Sequence, residues 1–137
     1  MKTAAVMLIV KDGLILSVSR RYDKTKFGLP GGKVEPDEMP SHAAIRETKE
    51  ETNVDVWSCR ELYCREEPPD RPGGQAFYTY CYYAEAWSGE PTNSEEGEVK
   101  WLTAADLTST MGAFPDYNRK TIETFKKLFP HINLKGE

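Results

Sequence analysis

Along this chain, short apolar runs alternate with charged or glycine-containing turns, a pattern of strands with helices set between and after them. Ala4-Ala5-Val6-Met7-Leu8-Ile9-Val10 is continuously apolar; Lys11-Asp12-Gly13 interrupts it, and Leu14 to Arg20 restarts it. Asp-Gly between two apolar runs predicts a hairpin, so residues 3–20 read as two antiparallel strands. The first run lacks clean alternation, which predicts burial on both faces. A helix follows between about Met39 and Thr52, with Asp37 or Ser41 able to cap it and Ala44, Ile45 and Thr48 facing inward. Asn53 suits the left-handed residue that ends such a helix.

Val54 to Cys64 alternates as a strand, with Val54, Val56, Ser58, Arg60 and Leu62 against Trp57, Cys59, Glu61 and Tyr63. The proline- and glycine-rich stretch at 68–74 breaks it, and Gln75 to Trp87 reads as a second strand dense in aromatic residues. A loop from Ser88 to Gly97 leads to a short strand at Glu98–Leu102. Thr103 to Asp106 then opens a brief helix. Asp116 is placed to cap a last helix from Tyr117 to Phe129, whose apolar face is Ile122, Phe125, Leu128 and Phe129 and which Pro130 stops. With no repeat and no low-complexity segment, the expectation is one mixed α/β domain over residues 1–137.

Composition narrows the function. Apolar residues are 39% and charged residues 29%, which fits a globular protein. The net charge of −4 argues against a general nucleic-acid binder but not against a phosphorylated small ligand whose charge a metal offsets. Cys59, Cys64 and Cys81 are an odd count without a CxxC pair. This predicts neither a disulfide framework nor a zinc site, and a reducing cytoplasm as the location. The run from Thr3 to Val10 is too short to span a bilayer, so no membrane association is expected.

The strongest chemical signal lies in the first helix. Glu47, Glu50 and Glu51 stand at i, i+3 and i+4, so their carboxylates share a face and repel one another. A divalent cation would offset that repulsion, and oxygen ligands suit Mg2+, with Mn2+ as the alternative. Taken alone, such a run is more often a solvated helix face. What surrounds it changes the weighting: the Gly31-Gly32 turn, Glu38 and Arg46 precede it at fixed distances. The basic stretch from Arg20 to Lys26 fits either a solvated loop or a surface that meets phosphate.

From Gly32 the residues run Gly-x5-Glu38-x7-Arg46-Glu47-Thr48-x-Glu50-Glu51-x-Asn53-Val54, which resembles the signature of the Nudix hydrolase family. Asn53 stands where that family usually has glycine, a change that preserves the capping conformation; Thr48 stands where a larger apolar residue is common. The resemblance implies an α/β/α sandwich with a mixed central sheet and a metal-dependent pyrophosphohydrolase that cleaves nucleoside diphosphate-linked compounds. It implies Glu50 and Glu51 as metal ligands, Glu47 joining them directly or through water, a loop carbonyl at Gly31 or Gly32 completing the shell, Arg46 orienting a carboxylate and Glu38 bracing the loop. For the general base it leaves open a glutamate of the helix or one of the later acidic loop. In that loop Glu95 ranks first by its spacing to Trp101, as base and as further ligand, followed by Glu96 and Glu98. Arg20, Lys33, Phe27 and Tyr78 are the expected substrate-binding set, although Phe27 and the strand tyrosines equally fit a core role. A nucleoside triphosphate cleaved to monophosphate and pyrophosphate is the preferred substrate. ADP-ribose, dinucleoside polyphosphates, capped RNA ends and a non-catalytic nucleotide sensor are the alternatives. The resemblance also raises a homodimer.

Overall fold

The computed structural model describes residues 2–69 and 72–136. Two sheets lie between helices. The first has the order β5 (Gly31–Lys33), β1 (Lys2–Leu8), β7 (Phe77–Ser88), β6 (Asp55–Glu67); β1 runs parallel to β7 and antiparallel to β5, so the sheet is mixed. In the second, β3 (Leu14–Ser19) pairs antiparallel with β2 (Val10–Lys11), β4 (Phe27–Gly28) and β8 (Val99–Leu102). Helix α1 (Pro40–Thr52) packs on β1, β5 and β6, while α3 (Pro115–Leu128) packs against α2 (Ala104–Thr108) and β6.

The continuous apolar run at the amino terminus is explained by this layering. Ala5, Met7 and Ile9 pack with Ala43 and Ala44 of α1, while Leu8 faces the opposite cluster, which contains Phe125 and Ile122 of α3. A strand between two helical layers needs no polar face. Its partner is not the one the Asp-Gly signal predicts. Hairpin pairing is confined to Val10–Lys11 against Leu14–Ile15, and Lys2 to Leu8 instead joins β7 and β5. The turn itself is as expected, with Asp12 and Gly13 both at positive φ.

Helix α1 occupies the expected residues and ends at Asn53, whose φ of 67° is left-handed and whose N–H bonds to the Lys49 carbonyl. Its start differs. Met39 is the N-cap, and its thioether makes no capping bond; neither Asp37 nor Ser41 occupies the capping position, because Pro40, whose fixed φ suits the first helical residue, sets the start of the helix. Asp116 likewise lies inside the first turn of α3, paired with Arg119 at 2.8 Å, and Phe114 is the N-cap at φ 55°, ψ 57°. Strand β6 runs three residues further than predicted. Irregularities between Val56 and Cys59 and between Glu61 and Tyr63 break its alternation, so Leu62 and Tyr63 both pack on the α3 side. Of the predicted turn at 68–74, Asp70 and Arg71 lie outside the described residues.

Thr48 is fully buried under α1, and its hydroxyl has no hydrogen-bond partner. An unsatisfied buried hydroxyl costs about 1–3 kcal/mol. Replacing it with the near-isosteric valine should therefore raise unfolding free energy by roughly 1 kcal/mol, measured by chemical denaturation; an unchanged or lower value would contradict this account.

Candidate metal and hydrolytic site

Arg46 is the hub of the charged helix. Its Nε and Nη2 donate to the two oxygens of Glu38 at 2.7 and 2.9 Å, a two-pronged bond that ties α1 to the preceding loop. Nη1 donates to Glu47 at 2.9 Å and reaches Glu50 at 3.3 Å, and Nη2 donates to the Lys33 carbonyl at 3.1 Å. The bond from Arg46 holds the Glu38 carboxyl down at about 2, against an ordinary value of 4.5. Arg46 thus links Glu47, Glu38 and the Lys33 carbonyl, and Glu38 also accepts from the Glu35 N–H at 3.1 Å.

The glycine turn meets the other side of the same carboxylates. The Gly31 N–H donates to Glu51 Oε1 at 2.7 Å. At Gly32 a Cβ would stand 2.6 Å from Glu47 Cδ, so only glycine lets that strand and the carboxylate come so close. Carboxylate oxygens of Glu47, Glu51 and Glu96 lie within 4.8 Å of one another. Burial pushes the Glu51 carboxyl up to about 8, with Glu47, Glu96 and Glu50 adding repulsion and the Gly31 bond opposing it. Glu47 is also pushed upward, first by burial and then by Glu50 and Glu96, against the pull of Arg46.

These residues fit a hard divalent cation. The donors are all carboxylate oxygens, with no sulfur or imidazole among them, and Glu96 Oε2 is buried without a hydrogen-bond partner.

Not every expected site residue lies here. Glu50 is half-exposed and turned to Arg46, outside the close cluster. Glu95, ranked first by spacing, is exposed and does not belong to the cluster, and Glu98 is exposed as well; Glu96 occupies the position. The difference is one residue of loop register. Ser94 and Gly97 exchange backbone bonds, and a Cβ on Gly97 would stand 2.6 Å from Ser19 Oγ. The Glu96-Gly97 pair was the available sequence signal, since a glycine needed for close approach fixes which glutamate turns inward.

A cleft of about 470 Å³ opens beside Gly31, Gly32 and Glu51. Arg20 and Lys33 line it, as expected. Phe27 does not: it is 3% exposed in the core, with the Lys100 ammonium 5.3 Å above its ring. Tyr78 also lies away from the cleft. Its neighbours Phe77 and Thr79 line the cleft, and alternation along β7 sends Tyr78 to the other face, against Tyr80. Among the lining residues not anticipated are Phe114 and Asn118, from the amino-terminal end of α3. Arg20 stacks on the Phe114 ring at 4.6 Å. Among the described residues, no helix is long and apolar enough to cross a membrane.

A mixed sheet between helices thus sets a glycine turn against a carboxylate cluster from α1 and the loop before β8, an arrangement suited to a divalent cation. The chain belongs to the Nudix family: the family model described as the NUDIX domain matches residues 1–125. It is therefore a hydrolase acting on pyrophosphate bonds, from a family that generally uses divalent metals and acts on small nucleotides. It is 29% identical over 129 residues to a protein of Escherichia coli strain K12 named 8-oxo-dGTP diphosphatase, covering 90% of this chain and 95% of that one. It is 30% identical over 130 residues to a MutT-like protein of Streptomyces ambofaciens, covering 95% and 80%. Among solved structures, it resembles a MutT NUDIX hydrolase from Burkholderia pseudomallei at a TM-score of 0.75 and 27% identity, with 90% and 96% covered. A NUDIX hydrolase from Nitrosomonas europaea, at a TM-score of 0.78 and 20% identity with 92% and 88% covered, shares the fold.

The shifted carboxyls give the metal-free protein two opposed pH limbs. Glu51 binds its proton more tightly folded than unfolded, so its contribution to stability is full below about 4.5 and is lost as pH rises towards about 8. Glu38 has the reverse sign: its contribution is present above 4.5 and is lost as pH falls towards about 2. Thermal unfolding in a chelator should therefore show falling stability between about pH 4.5 and 8, and Mg2+ should raise the midpoint most at the alkaline end. A midpoint that stays level across that window would contradict the burial of Glu51.

Proposed function

We propose that the chain hydrolyses a nucleoside triphosphate, ordinary or modified in its base, to the monophosphate and pyrophosphate, with Mg2+ as the metal. The observation that carries this reading is the continuity of the cleft. It runs from Gly31, Gly32 and Glu51 to Phe114 and Asn118, and its size lies in the range that encloses a small ligand. Asn118 is 3% exposed, and its Nδ2 donates to the carbonyls of Leu107 and Ala113. Its Oδ1 is therefore the atom it can offer a donor on a base. The names of the E. coli relative and of a Haemophilus influenzae relative, 34% identical over 96 residues, support a triphosphate of this kind; both are called 8-oxo-dGTP diphosphatase.

In this reading Glu47, Glu51 and Glu96 hold the cation, and the loop carbonyl at Gly31 or Gly32 adds to them. The cation supplies neutralisation of the phosphate charge and activation of water. Arg46 keeps Glu47 in place through the bond at 2.9 Å. Lys33 and Arg20 meet the phosphates from the cleft walls, so that in-line attack depends on positioning rather than on a covalent intermediate. For Glu50 to act as a ligand it would exchange its contact with Arg46 for the cluster.

A second reading, an ADP-ribose-type substrate, is favoured by one observation: Pro68 and Pro69, about fifteen residues past the signature and near where ADP-ribose-cleaving members of the family place a proline, line the same cleft. Incubation with a panel of nucleoside triphosphates, 8-oxo-dGTP, ADP-ribose and dinucleoside polyphosphates in Mg2+, with products identified by mass spectrometry, decides between them. Monophosphate and pyrophosphate from a triphosphate are expected. Preferential cleavage of ADP-ribose would establish the second reading, and binding without turnover of any of them would leave a sensor. The same assay separates the two loop glutamates. Glu96→Gln should lower turnover by more than the roughly 10- to 100-fold typical of losing a group that only orients a ligand, and Glu95→Gln should leave it nearly unchanged; the reverse order would restore Glu95 to the site.

A further inference from the structure

We propose that the segment from Arg20 to Lys26 is a strap that sets Glu96 in the carboxylate cluster, with Lys24 as its positioning residue. The inference rests on reading Glu47, Glu51 and Glu96 as a divalent-cation site.

The strap is a built element. Its ends are closed by the Arg20 N–H on the Lys26 carbonyl at 2.8 Å, and the Lys26 N–H bonds to the Asp23 carbonyl at 3.1 Å. Inside it, Asp23 Oδ1 accepts from the Thr25 N–H at 3.0 Å and from the Thr25 hydroxyl. From this frame Lys24 Nζ donates to the Glu96 carbonyl at 3.1 Å, across 72 residues of sequence. The Arg21 guanidinium stands 3.8 Å from Glu96 Oε1.

The acidic loop needs such a contact. Its feet are fixed: the Glu98 N–H donates to Ser19 Oγ at 2.9 Å, the Ser19 N–H to the Glu98 carbonyl at 2.9 Å, and the Glu96 N–H to Ser94 Oγ at 3.2 Å. Within the loop, the peptide plane between Glu96 and Gly97 is held by the Gly97 N–H on the Ser94 carbonyl, a long bond at 3.3 Å. That plane precedes a glycine, whose backbone tolerates orientations other residues resist. The Lys24 bond adds a second hold on the same plane from outside the loop, and ties the Glu96 backbone, the root of its side chain, to the strap. Arg21 beside Oε1 then leaves Oε2, buried and without a partner, as the oxygen available to the cluster. Lys26 is a built-in comparison, because it lies on the same strap but donates to the Thr110 carbonyl instead.

The test is Mn2+ affinity, read from the electron paramagnetic resonance of the free ion, for wild type, Glu96→Gln, Lys24→Met, Lys24→Arg and Lys26→Met. Glu96→Gln sets the scale for losing the ligand. Lys24→Met should weaken binding by roughly tenfold, the size of effect seen for groups that orient metal ligands. Lys24→Arg, which can reach the same carbonyl, should restore most of it, and Lys26→Met should bind as wild type. Wild-type affinity in Lys24→Met overturns the strap and leaves the metal site standing. Equal weakening by Lys26→Met reduces the effect to loop stability and also overturns it. Absence of Mn2+ binding by the wild type removes the metal-site reading and the strap with it.

Discussion

Repulsion between the carboxylates of Glu47, Glu51 and Glu96 is the constraint to which the rest of the structure answers. With oxygens within 4.8 Å of one another, each ionised pair opposes folding by roughly 3 kcal/mol at an effective dielectric of about 20. Arg46 offsets part of this through Glu47, but its other bonds go to Glu38, Glu50 and the Lys33 carbonyl. Glu51 has a single backbone N–H from Gly31 to set against its burial. One guanidinium thus serves three carboxylates on and before α1, and the buried end of the cluster keeps a deficit of positive charge. That deficit is the property a divalent cation, and a phosphate drawn to it, can use.

The crowd stays in place because the scaffold beneath it is indifferent to charge. Ala43 and Ala44 seat α1 on Ala5 and Met7 of β1 and on Ile9 just after it, and the other side of β1 faces the cluster around Phe125 and Leu107. Removal of this apolar area from water stabilises the fold at about 25 cal/mol per Å², and the stabilisation is insensitive to protonation or metal. The glycine turn that meets Glu47 and Glu51 is itself a strand bonded to β1 through Ala5↔Gly32 and Val6↔Gly31. Helix and turn are therefore referred to the same strand, which keeps the carboxylates close although they repel.

What could be read from the sequence divides along the same line between local and distant. Helix α1 and its end at Asn53 follow from spacing within one stretch, where three or four residues decide which side chains meet, whereas the roles expected of Arg46 and Glu38 came from the family resemblance. The pairing of β1 with β7 joins residues such as Val6 and Cys81, and no local signal announces it; the Asp-Gly turn, a true turn, pointed to a hairpin that is only two residues long on each side. Tyr78 was misplaced by parity, since one position along β7 changes the face, and Leu62 by a bulge that cancels parity. Glu96, ranked second behind Glu95, is the one turned into the cluster, in a loop whose Gly97 packs against Ser19. Phe114 at positive φ before Pro115 was beyond any propensity argument, because a bulky residue holds that conformation only when its surroundings require it.

This division explains why the reaction class was legible and the substrate was not. In the reading proposed above, the groups that act on a pyrophosphate come mostly from residues 31–51, a contiguous stretch whose chemistry survives being read as text. The cleft walls available to the remainder of such a substrate come from distant elements: Lys2 and Ala4 on β1, Arg20 after β3, Thr79 on β7, and Phe114 and Asn118 at the start of α3. Each is placed by tertiary packing. Arg20, for instance, owes its position to the Phe114 ring nearly a hundred residues away in sequence. The cleft thus joins a locally encoded hydrolytic end to a globally assembled recognition end. Substitutions at the second can redirect the enzyme among nucleotides while the carboxylate cluster, held by α1 and the glycine turn, continues the same chemistry.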